Sequence, residues 1–291
     1  MEELKYFYDT NDYIVYEKIG NGNINLVFLH GLCSSRKTWD DIYPKFDLNK
    51  YCLYLVDYKG YGNSSVPKDK EYSIFDIANV ITKFINEVIK INYVLIGHSL
   101  GGGIVLMTMV SKKVNMLPIR IIVIDPACYM DSKKDIPLYV RGLGVPIINK
   151  IGLFLASKKR ILKMSMSNFM YRDNVRDKHV ARYTTILSQK RNHYAFIASS
   201  KYCIPTNYST LIREYKGITT KTLIIWGEND PVLDYKYSFR LSKDIKNSKL
   251  VILSKCGHAC QEELPDKTYK VIEDYLDKIL KIEIYKPRVK I

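Results

Sequence analysis

The sequence lacks the features that mark secreted and membrane-spanning proteins. Its six cysteines are spread over 291 residues without a CxxC pair, which argues against a disulfide framework and favours a reducing compartment. No apolar run approaches the roughly 18 residues of a transmembrane helix. The first residues, Met1-Glu2-Glu3-Leu4-Lys5, begin no apolar stretch of the kind that a signal peptide needs. We therefore expect a cytoplasmic protein.

Arginine is also scarce, although the chain is strongly basic. The net charge is +15, from 45 basic and 30 acidic residues, but only 11 of the basic residues are arginine. Proteins that read nucleic acids depend on the bidentate guanidinium fork, so lysine-dominated charge is weak support for that function. A genome rich in A and T encodes the same excess of Lys, Ile, Tyr and Asn. Since no binding motif accompanies the charge, no nucleic-acid partner is predicted.

Strand-like and helix-like segments follow one another in the order that is typical of α/β proteins. Three β-like runs at 5–8, 13–19 and 25–29 are joined by turns rich in Asn, Asp and Gly, which predicts antiparallel hairpins. Continuous apolar strands then alternate with amphipathic helices along 52–124 and 222–282. This alternation predicts a mostly parallel central β-sheet flanked by helices on both faces.

The segment 131–216, between the two alternating stretches, has a composition of its own. It contains 17 Lys or Arg residues against 5 Asp or Glu, so most of the net charge lies there. Its apolar residues recur at helical spacing. We predict a helical cap inserted into one core domain, which is formed by 1–130 and 217–291. The basic amphipathic run 147–166 suggests weak contact with an anionic membrane surface, and an ordinary cap helix with solvated lysines is the simpler interpretation.

A GxSxG motif occupies 97–101, between a strand-like and a helix-like segment. The two glycines leave room for a tight turn that places the hydroxyl of Ser99 at a helix N-terminus, on strained backbone. This arrangement predicts a serine nucleophile. A serine hydroxyl is a weak nucleophile until a neighbouring base removes its proton.

Five histidines compete for the role of that base. His258 follows the last strand, in a loop that can reach over the carboxyl edge of the sheet. His30 and His98 flank glycines at strand ends, and His98 points away from its neighbour on such a turn. His179 and His193 lie in the predicted cap. His258 is therefore the predicted base.

A carboxylate must hold the base in the correct tautomer. Asp230 follows the strand 222–226 and precedes Pro231, which disfavours helical angles and keeps the acid on an extended loop. Asp125 follows the preceding strand and is the second candidate. Either carboxylate could instead satisfy backbone donors in its loop.

Cysteines near these residues support two competing interpretations. Cys33 lies close to the third strand, but it is not on the GxSxG turn, so a thiol nucleophile is disfavoured. Cys256 and Cys260 flank His258 and suggest a zinc cluster, but two thiols and one imidazole leave it short of four ligands. No metal site is predicted.

The order of Ser99, Asp230 and His258 along the chain is that of the α/β-hydrolases, and the sequence resembles this superfamily in its small-esterase and cofactor-free haloperoxidase-like branch. The resemblance covers 1–130 and 217–282. Four further motifs carry it: His30-Gly31-Leu32 after the third strand, the loop Asp57-Tyr58-Lys59-Gly60-Tyr61-Gly62-Asn63-Ser64, the turn Trp226-Gly227-Glu228-Asn229-Asp230, and Gly257-His258.

The resemblance implies a serine hydrolase that cleaves a carboxylic ester, or a related thioester, lactone or amide, through an acyl-enzyme. It implies that the backbone N–H groups of Leu32 and Leu100 bind the oxyanion, while His30 braces the loop. A small-molecule acyl substrate is the expected partner, and no metal or organic cofactor is implied. Serine at 99 argues against the haloalkane dehalogenase and epoxide hydrolase branches, which use aspartate. An acyltransferase and a ligand-binding receptor are the open alternatives.

Overall fold

Eight strands form one sheet in the part of the chain that the computed structural model describes, which is 2–130, 163, 169–205 and 207–280. The strands are β1 (Glu3–Phe7), β2 (Tyr13–Ile19), β3 (Ile24–Leu29), β4 (Tyr51–Asp57), β5 (Tyr93–His98), β6 (Arg120–Ile124), β7 (Thr222–Gly227) and β8 (Ser248–Leu253). The order across the sheet is β1-β2-β4-β3-β5-β6-β7-β8. The β1–β2 and β2–β4 pairs are antiparallel, and the neighbours from β4 to β8 pair parallel. The predicted mostly parallel α/β sheet is confirmed.

One expectation for the start of the chain is wrong. β1 and β2 form the predicted hairpin, but β3 does not pair with β2. β2 pairs with β4 instead, and β3 lies between β4 and β5, parallel to both. The reason is that β3 is apolar on both faces and almost fully buried, which suits an interior strand better than the arm of an edge hairpin. Gly20, at φ 87°, lets the chain pass close to Tyr51, where an added Cβ would lie 2.6 Å from the carbonyl oxygen.

Helices cover both faces of the sheet. The α-helices are α1 (Ile74–Phe84), α2 (Leu100–Ser111), α3 (Asp177–Ser188), α4 (His193–Tyr202), α5 (Tyr208–Leu211), α6 (Lys236–Asp244), α7 (Cys260–Glu263) and α8 (Pro265–Leu280). α1 begins with a capping box in which the side chains of Ser73 and Asp76 accept each other's backbone N–H groups, and it continues as a π-helical turn over Ile85–Ile89. α1, α2 and α6 contribute to one apolar cluster, and α8 to the cluster on the other face. None of the described helices combines the length and apolarity needed to cross a bilayer.

The predicted cap lies partly outside the described residues. Within 169–205 and 207–216 the regular elements are α3, α4, α5 and short 3₁₀ turns. Most of the basic run 147–166, including Lys158, Lys159 and Arg160, lies outside the described residues. The membrane-surface contact, the helical nature of the whole insertion and the division into core and cap therefore stay predictions.

The strand order reverses between β3 and β5. The chain proceeds from β3 outward to β4 on one side, and from β5 outward through β6, β7 and β8 on the other. Open α/β sheets bind their ligands at the carboxyl edge beside such a reversal. Leu32 follows β3, Ser99 follows β5, Asp230 follows β7 and His258 follows β8, so all four leave this edge of the sheet.

Candidate active site

Ser99 lies on a strained turn between β5 and α2. Its φ of 51° and ψ of −116° lie in a region that only glycine adopts without strain, which costs about 1–3 kcal/mol. Close packing beneath the turn explains its glycines. A Cβ at Gly97 would lie 2.4 Å from the carbonyl oxygen of Gly101, and a Cβ at Gly101 would lie 2.3 Å from that of Leu29. The small residues therefore let α2 approach the strands and hold the hydroxyl above the sheet edge.

The structure brings the three predicted residues into one hydrogen-bonded chain. Nδ1 of His258 lies 2.7 Å from Oδ2 of Asp230, and Nε2 lies 2.8 Å from Oγ of Ser99. Because a carboxylate only accepts hydrogen bonds, Nδ1–H donates to Asp230. Nε2 is then free to accept from the Ser99 hydroxyl. This is the tautomer that a general base needs, and all three side chains come from separate loops.

The carboxylate of Asp230 is fixed on both of its oxygens. Oδ1 accepts the backbone N–H of Val232 at 2.7 Å and that of Leu233 at 3.0 Å. Oδ2 accepts from the indole N–H of Trp226 at 3.2 Å in addition to His258. These hydrogen bonds leave the carboxylate one orientation, with Oδ2 toward the imidazole.

Asp125, the second candidate acid, has a different role in the structure. Its Oδ1 accepts the backbone N–H of Gly227 at 2.8 Å, and it makes no hydrogen bond to His258 in the described chain. Burial, followed by the charge of Asp230, raises the pKa of Asp125 well above its ordinary value. Asp125 therefore ties β6 to β7 next to the site.

One oxygen or nitrogen from each of Asp125, Asp230 and His258 falls within 4.8 Å of the others, which is a spacing that a metal ion could use. The hydrogen bonds explain this proximity without a metal, because Nδ1 of His258 already faces Asp230 and Nε2 faces Ser99. The competing zinc set does not assemble either. Cys256 and Cys260 lie with their sulfurs 3.5 Å apart, but both nitrogens of His258 face the other partners.

The loop after β3 lies directly against the Ser99 turn. A Cβ added at Gly31 would lie 3.2 Å from the Cβ of Ser99 and 3.0 Å from Nδ1 of His98. Leu32, the next residue, has no backbone hydrogen bond in the described chain. Leu100 is the first residue of α2, where an N–H has no acceptor inside the helix. Leu32 and Leu100 thus belong to the two segments that meet at Ser99, and their role as oxyanion donors stays a prediction.

Two further histidines are buried beside the site and hold the main chain of its loops through hydrogen bonds. Burial lowers the pKa of His98 and of His30 to about 3, so both are neutral. Nε2–H of His98 donates to the carbonyl of His258 at 2.6 Å, which fixes the main chain of the base. Nδ1–H of His30 donates to the carbonyl of Gly31 at 2.8 Å, and its ring stacks on Tyr58 at 4.1 Å. His30 thus holds the loop that carries Leu32.

The remaining candidates do not face the hydroxyl in the described structure. Nδ1 of His179 accepts the backbone N–H of Arg176 at 3.3 Å, and Nε2 of His193 donates to the carbonyl of Leu187 at 2.8 Å. Burial raises the pKa of the Cys33 thiol to about 12, which leaves almost no thiolate at neutral pH. A cysteine nucleophile is therefore not supported.

Comparison with known proteins agrees with this fold. A family model described as the alpha/beta hydrolase family matches residues 26–271. The chain belongs to the α/β hydrolase family. It is 23% identical to the hydrolase YugF of Bacillus subtilis over 90% of this chain and 94% of that protein. It is 24% identical to the human monoacylglycerol lipase ABHD6, covering 88% of this chain and 76% of the lipase.

Among solved structures, a bromoperoxidase from Bacillus anthracis superposes with a TM-score of 0.79 at 18% identity. The match covers 95% of this chain and all of that one. At this identity the likeness shows the fold, and the predicted α/β-hydrolase architecture is confirmed. The relatives are named hydrolases, lipases and esterases, which supports the prediction of an α/β hydrolase that acts on ester bonds.

Sequence reasoning missed several residues that support the three predicted ones. The indole of Trp226 holds Asp230, and His98 holds the main chain of His258. The carbonyl of Phe169 accepts the backbone N–H of His258 at 2.7 Å. Trp226 and His98 lie within the motifs at 226–230 and 97–101, so the motifs point to both residues but not to their supporting roles. Nothing in the sequence links Phe169 to the histidine loop.

Proposed function

We propose that this protein is a serine hydrolase that cleaves carboxylic esters, with Ser99 as nucleophile, His258 as general base and Asp230 as the acid that orients it. The observation that supports this most strongly is the hydrogen-bonded chain from Ser99 Oγ through His258 to Asp230, at 2.8 Å and 2.7 Å. The family membership of the chain agrees with it. A cytoplasmic location belongs to the same proposal.

In the first half of the reaction, Ser99 Oγ attacks the ester carbonyl as its proton moves to Nε2 of His258. The carbonyl oxygen becomes an oxyanion, and the backbone N–H groups of Leu32 and Leu100 bind it. Removal of one such donor costs about 2.7–4 kcal/mol in enzymes where it has been measured. The tetrahedral intermediate then collapses. His258 gives its proton to the leaving alcohol oxygen, and the acyl group remains esterified to Ser99.

The second half repeats these steps with water as the nucleophile. Nε2 of His258 takes a proton from the water, whose oxygen attacks the acyl-enzyme carbonyl. When the second intermediate collapses, the proton returns to Ser99 Oγ and the carboxylic acid is released. Asp230 keeps its negative charge throughout and stabilises the imidazolium that forms twice in each cycle. No step requires a metal or an organic cofactor.

The proposed substrate is a small ester with an uncharged, apolar acyl chain. Leu32 and Cys33 on the loop after β3, and Leu100 directly after Ser99, are apolar residues, so these segments offer no charged partner to an acyl group. Of the relatives, the human enzyme is named a monoacylglycerol lipase, which directs the choice of test substrates toward acylglycerols. Thioesters, lactones and amides are further candidates for the same chemistry.

A panel of nitrophenyl esters and monoacylglycerols of increasing chain length tests the proposal, with the parent protein and Ser99→Ala measured side by side. Fluorophosphonate labelling of both proteins reports the nucleophile independently of turnover. The expected result is hydrolysis and labelling of the parent and a loss of several orders of magnitude in Ser99→Ala. Equal hydrolysis by the two proteins would contradict the assignment of Ser99.

The same panel distinguishes the two alternative functions. Addition of methanol or glycerol yields a new ester if the acyl-enzyme transfers to alcohols in preference to water, as an acyltransferase would. A receptor would bind the ester and label slowly, without release of acid. Acid as the main product identifies hydrolysis.

A further inference from the structure

The main chain around His258 is fixed by hydrogen bonds at three successive N–H groups. The N–H of Gly257 donates to Oε2 of Glu263 at 2.9 Å, and the N–H of Ala259 donates to Oε1 of the same carboxylate at 3.0 Å. The N–H of His258 itself donates to the carbonyl of Phe169 at 2.7 Å. One carboxylate therefore accepts hydrogen bonds from the main chain on both sides of the base.

The same carboxylate also reaches the segment that precedes α3, inside the predicted cap. Oε2 of Glu263 accepts the backbone N–H of Tyr171 at 2.8 Å and the side-chain amide of Asn174 at 3.2 Å. The amide of Asn174 in addition donates to the carbonyl of Lys255 at 2.7 Å, on the same loop as the base. Glu263 thus joins two parts of the chain that are far apart in sequence.

Glu263 supports the loop of the base and is separate from the reacting groups. Glu263 is 6% exposed, and its four donors occupy both oxygens. It makes no hydrogen bond to Ser99, to Asp230 or to the imidazole of His258 in the described chain. A group of this kind acts on the reaction through the position of another residue.

We propose that Glu263 is the positioning residue for the base, because it fixes the loop of His258 through the flanking N–H groups and couples that loop to the segment around Tyr171. The inference rests on the proposed function, in which the imidazole must stand between Ser99 and Asp230. Catalytic groups have to be held within about 0.5 Å of their productive geometry. Loss of the carboxylate frees three backbone donors at once and lets the loop relax.

Glu262, the preceding residue, provides a matched control. It is also buried and lies on the same helical turn α7, but its carboxylate bonds side chains only. Its partners are the hydroxyl of Thr38, the hydroxyl of Tyr183 at 3.1 Å and the guanidinium of Arg182 at 3.1 Å. Glu262→Gln therefore disturbs the attachment of α3 and the packing of α7, while the N–H groups that flank the base keep their acceptor.

The experiment compares Glu263→Ala, Glu263→Gln and Glu262→Gln with the parent, well below the unfolding midpoint of each protein. Two quantities are measured: kcat and KM for a short nitrophenyl ester, and the rate of fluorophosphonate labelling at Ser99. We expect Glu263→Ala to lower kcat and the labelling rate about 100-fold, with KM within about threefold, since misplacement by about 1 Å has a cost of this size.

Glu263→Gln is expected to lie between Glu263→Ala and the parent. Its amide oxygen can take the place of Oε2 and keep three donors, whereas its NH₂ group faces the N–H of Ala259 and loses that bond. We expect kcat about tenfold below the parent. Glu262→Gln should keep kcat and the labelling rate within about twofold, even where its unfolding midpoint falls as far as that of Glu263→Gln.

Parent-like labelling and kcat in Glu263→Ala would overturn the proposal, and so would an equal loss in Glu262→Gln, which would indicate general damage to α7. If Glu263→Ala does not fold, Glu263→Gln decides by the same criteria. Labelling needs no ester turnover, so a parent that labels at Ser99 but hydrolyses no ester refutes the proposed function alone. Slower labelling of Glu263→Ala would then still support the positioning role. A parent that does not label at all contradicts both.

Discussion

Replacement of Asp230 by asparagine tests the orientation of the base with almost no change in shape. Oδ1 of Asp230 accepts two backbone N–H groups, from Val232 and Leu233. In Asp230→Asn, both bonds are kept only if the amide oxygen occupies the Oδ1 position, because an NH₂ group cannot accept them. The NH₂ group then takes the place of Oδ2 and faces Nδ1 of His258, where the carboxylate accepted a hydrogen bond at 2.7 Å.

An NH₂ group donates, so it favours the tautomer of His258 with the proton on Nε2. That nitrogen then no longer accepts the proton of Ser99, and it also loses the carboxylate that stabilised the imidazolium. In a comparable triad the same substitution lowers kcat by about 10⁴. Since each factor of ten corresponds to about 1.36 kcal/mol, the expected rise in the activation free energy is about 5.5 kcal/mol.

Single-turnover acylation with a nitrophenyl ester measures this effect directly, and thermal unfolding shows whether the variant is folded. Asp125→Asn is the matched control, because Asp125 is a buried acid at the adjacent strand end that accepts the N–H of Gly227 and makes no hydrogen bond to His258 in the described chain. It should retain a rate within about tenfold of the parent. A larger loss in Asp125→Asn than in Asp230→Asn would refute the assignment of the acid.

Two further predictions concern stability. Ser99→Gly should raise the free energy of unfolding by about 1 kcal/mol, because the relief of backbone strain at φ 51° exceeds the entropy that glycine loses on folding. An unchanged or lower unfolding midpoint would contradict this. Burial lowers the pKa of His30 to about 3 from 6.5, so the unfolded chain binds more protons below about pH 6.5 and stability falls as the pH is lowered toward 3. His30→Gln should reduce that slope by about 1.4 kcal/mol per pH unit in urea titrations between pH 6 and 4, and identical slopes would show the prediction to be wrong.

The local part of the site could be predicted from the sequence. The geometry of the GxSxG turn follows from its own residues, because a side chain at Gly97 or Gly101 would overlap backbone atoms of the turn or of the neighbouring strand. The loops of Asp230 and His258 each follow a recognisable buried strand. Residues at the carboxyl ends of parallel strands share one edge, so their proximity followed from the strand pattern alone.

The choice between the two acids could not be settled in this way. Asp125 and Asp230 both follow strand ends, and both lie within 4.8 Å of the base. The difference is the direction of each carboxylate, which depends on whether nearby N–H groups come from its own loop or from another strand. Asp230 is held by its own loop and Asp125 by Gly227 across the sheet. The spacing of residues along the chain does not reveal the direction of either carboxylate.

The wrong pairing predicted for β3 and the failure to identify Glu263 have the same physical cause. The turn at 20–23 has the local composition of a hairpin, but the pairing of β3 is decided by its burial between β4 and β5. Glu263 was missed because its partners come from 171–174 and 257–259, which no periodicity connects. In both cases the deciding contacts join segments that no repeating pattern of the sequence relates to each other.

The most direct test of the account is the detection of an acyl group on Ser99. The protein is mixed with an excess of a nitrophenyl ester, quenched in acid within the first turnover and digested for mass spectrometry. We expect a burst of nitrophenol and one added acyl group on the peptide that contains Ser99. Acylation of Cys33, or full ester turnover in Ser99→Ala, would contradict the account.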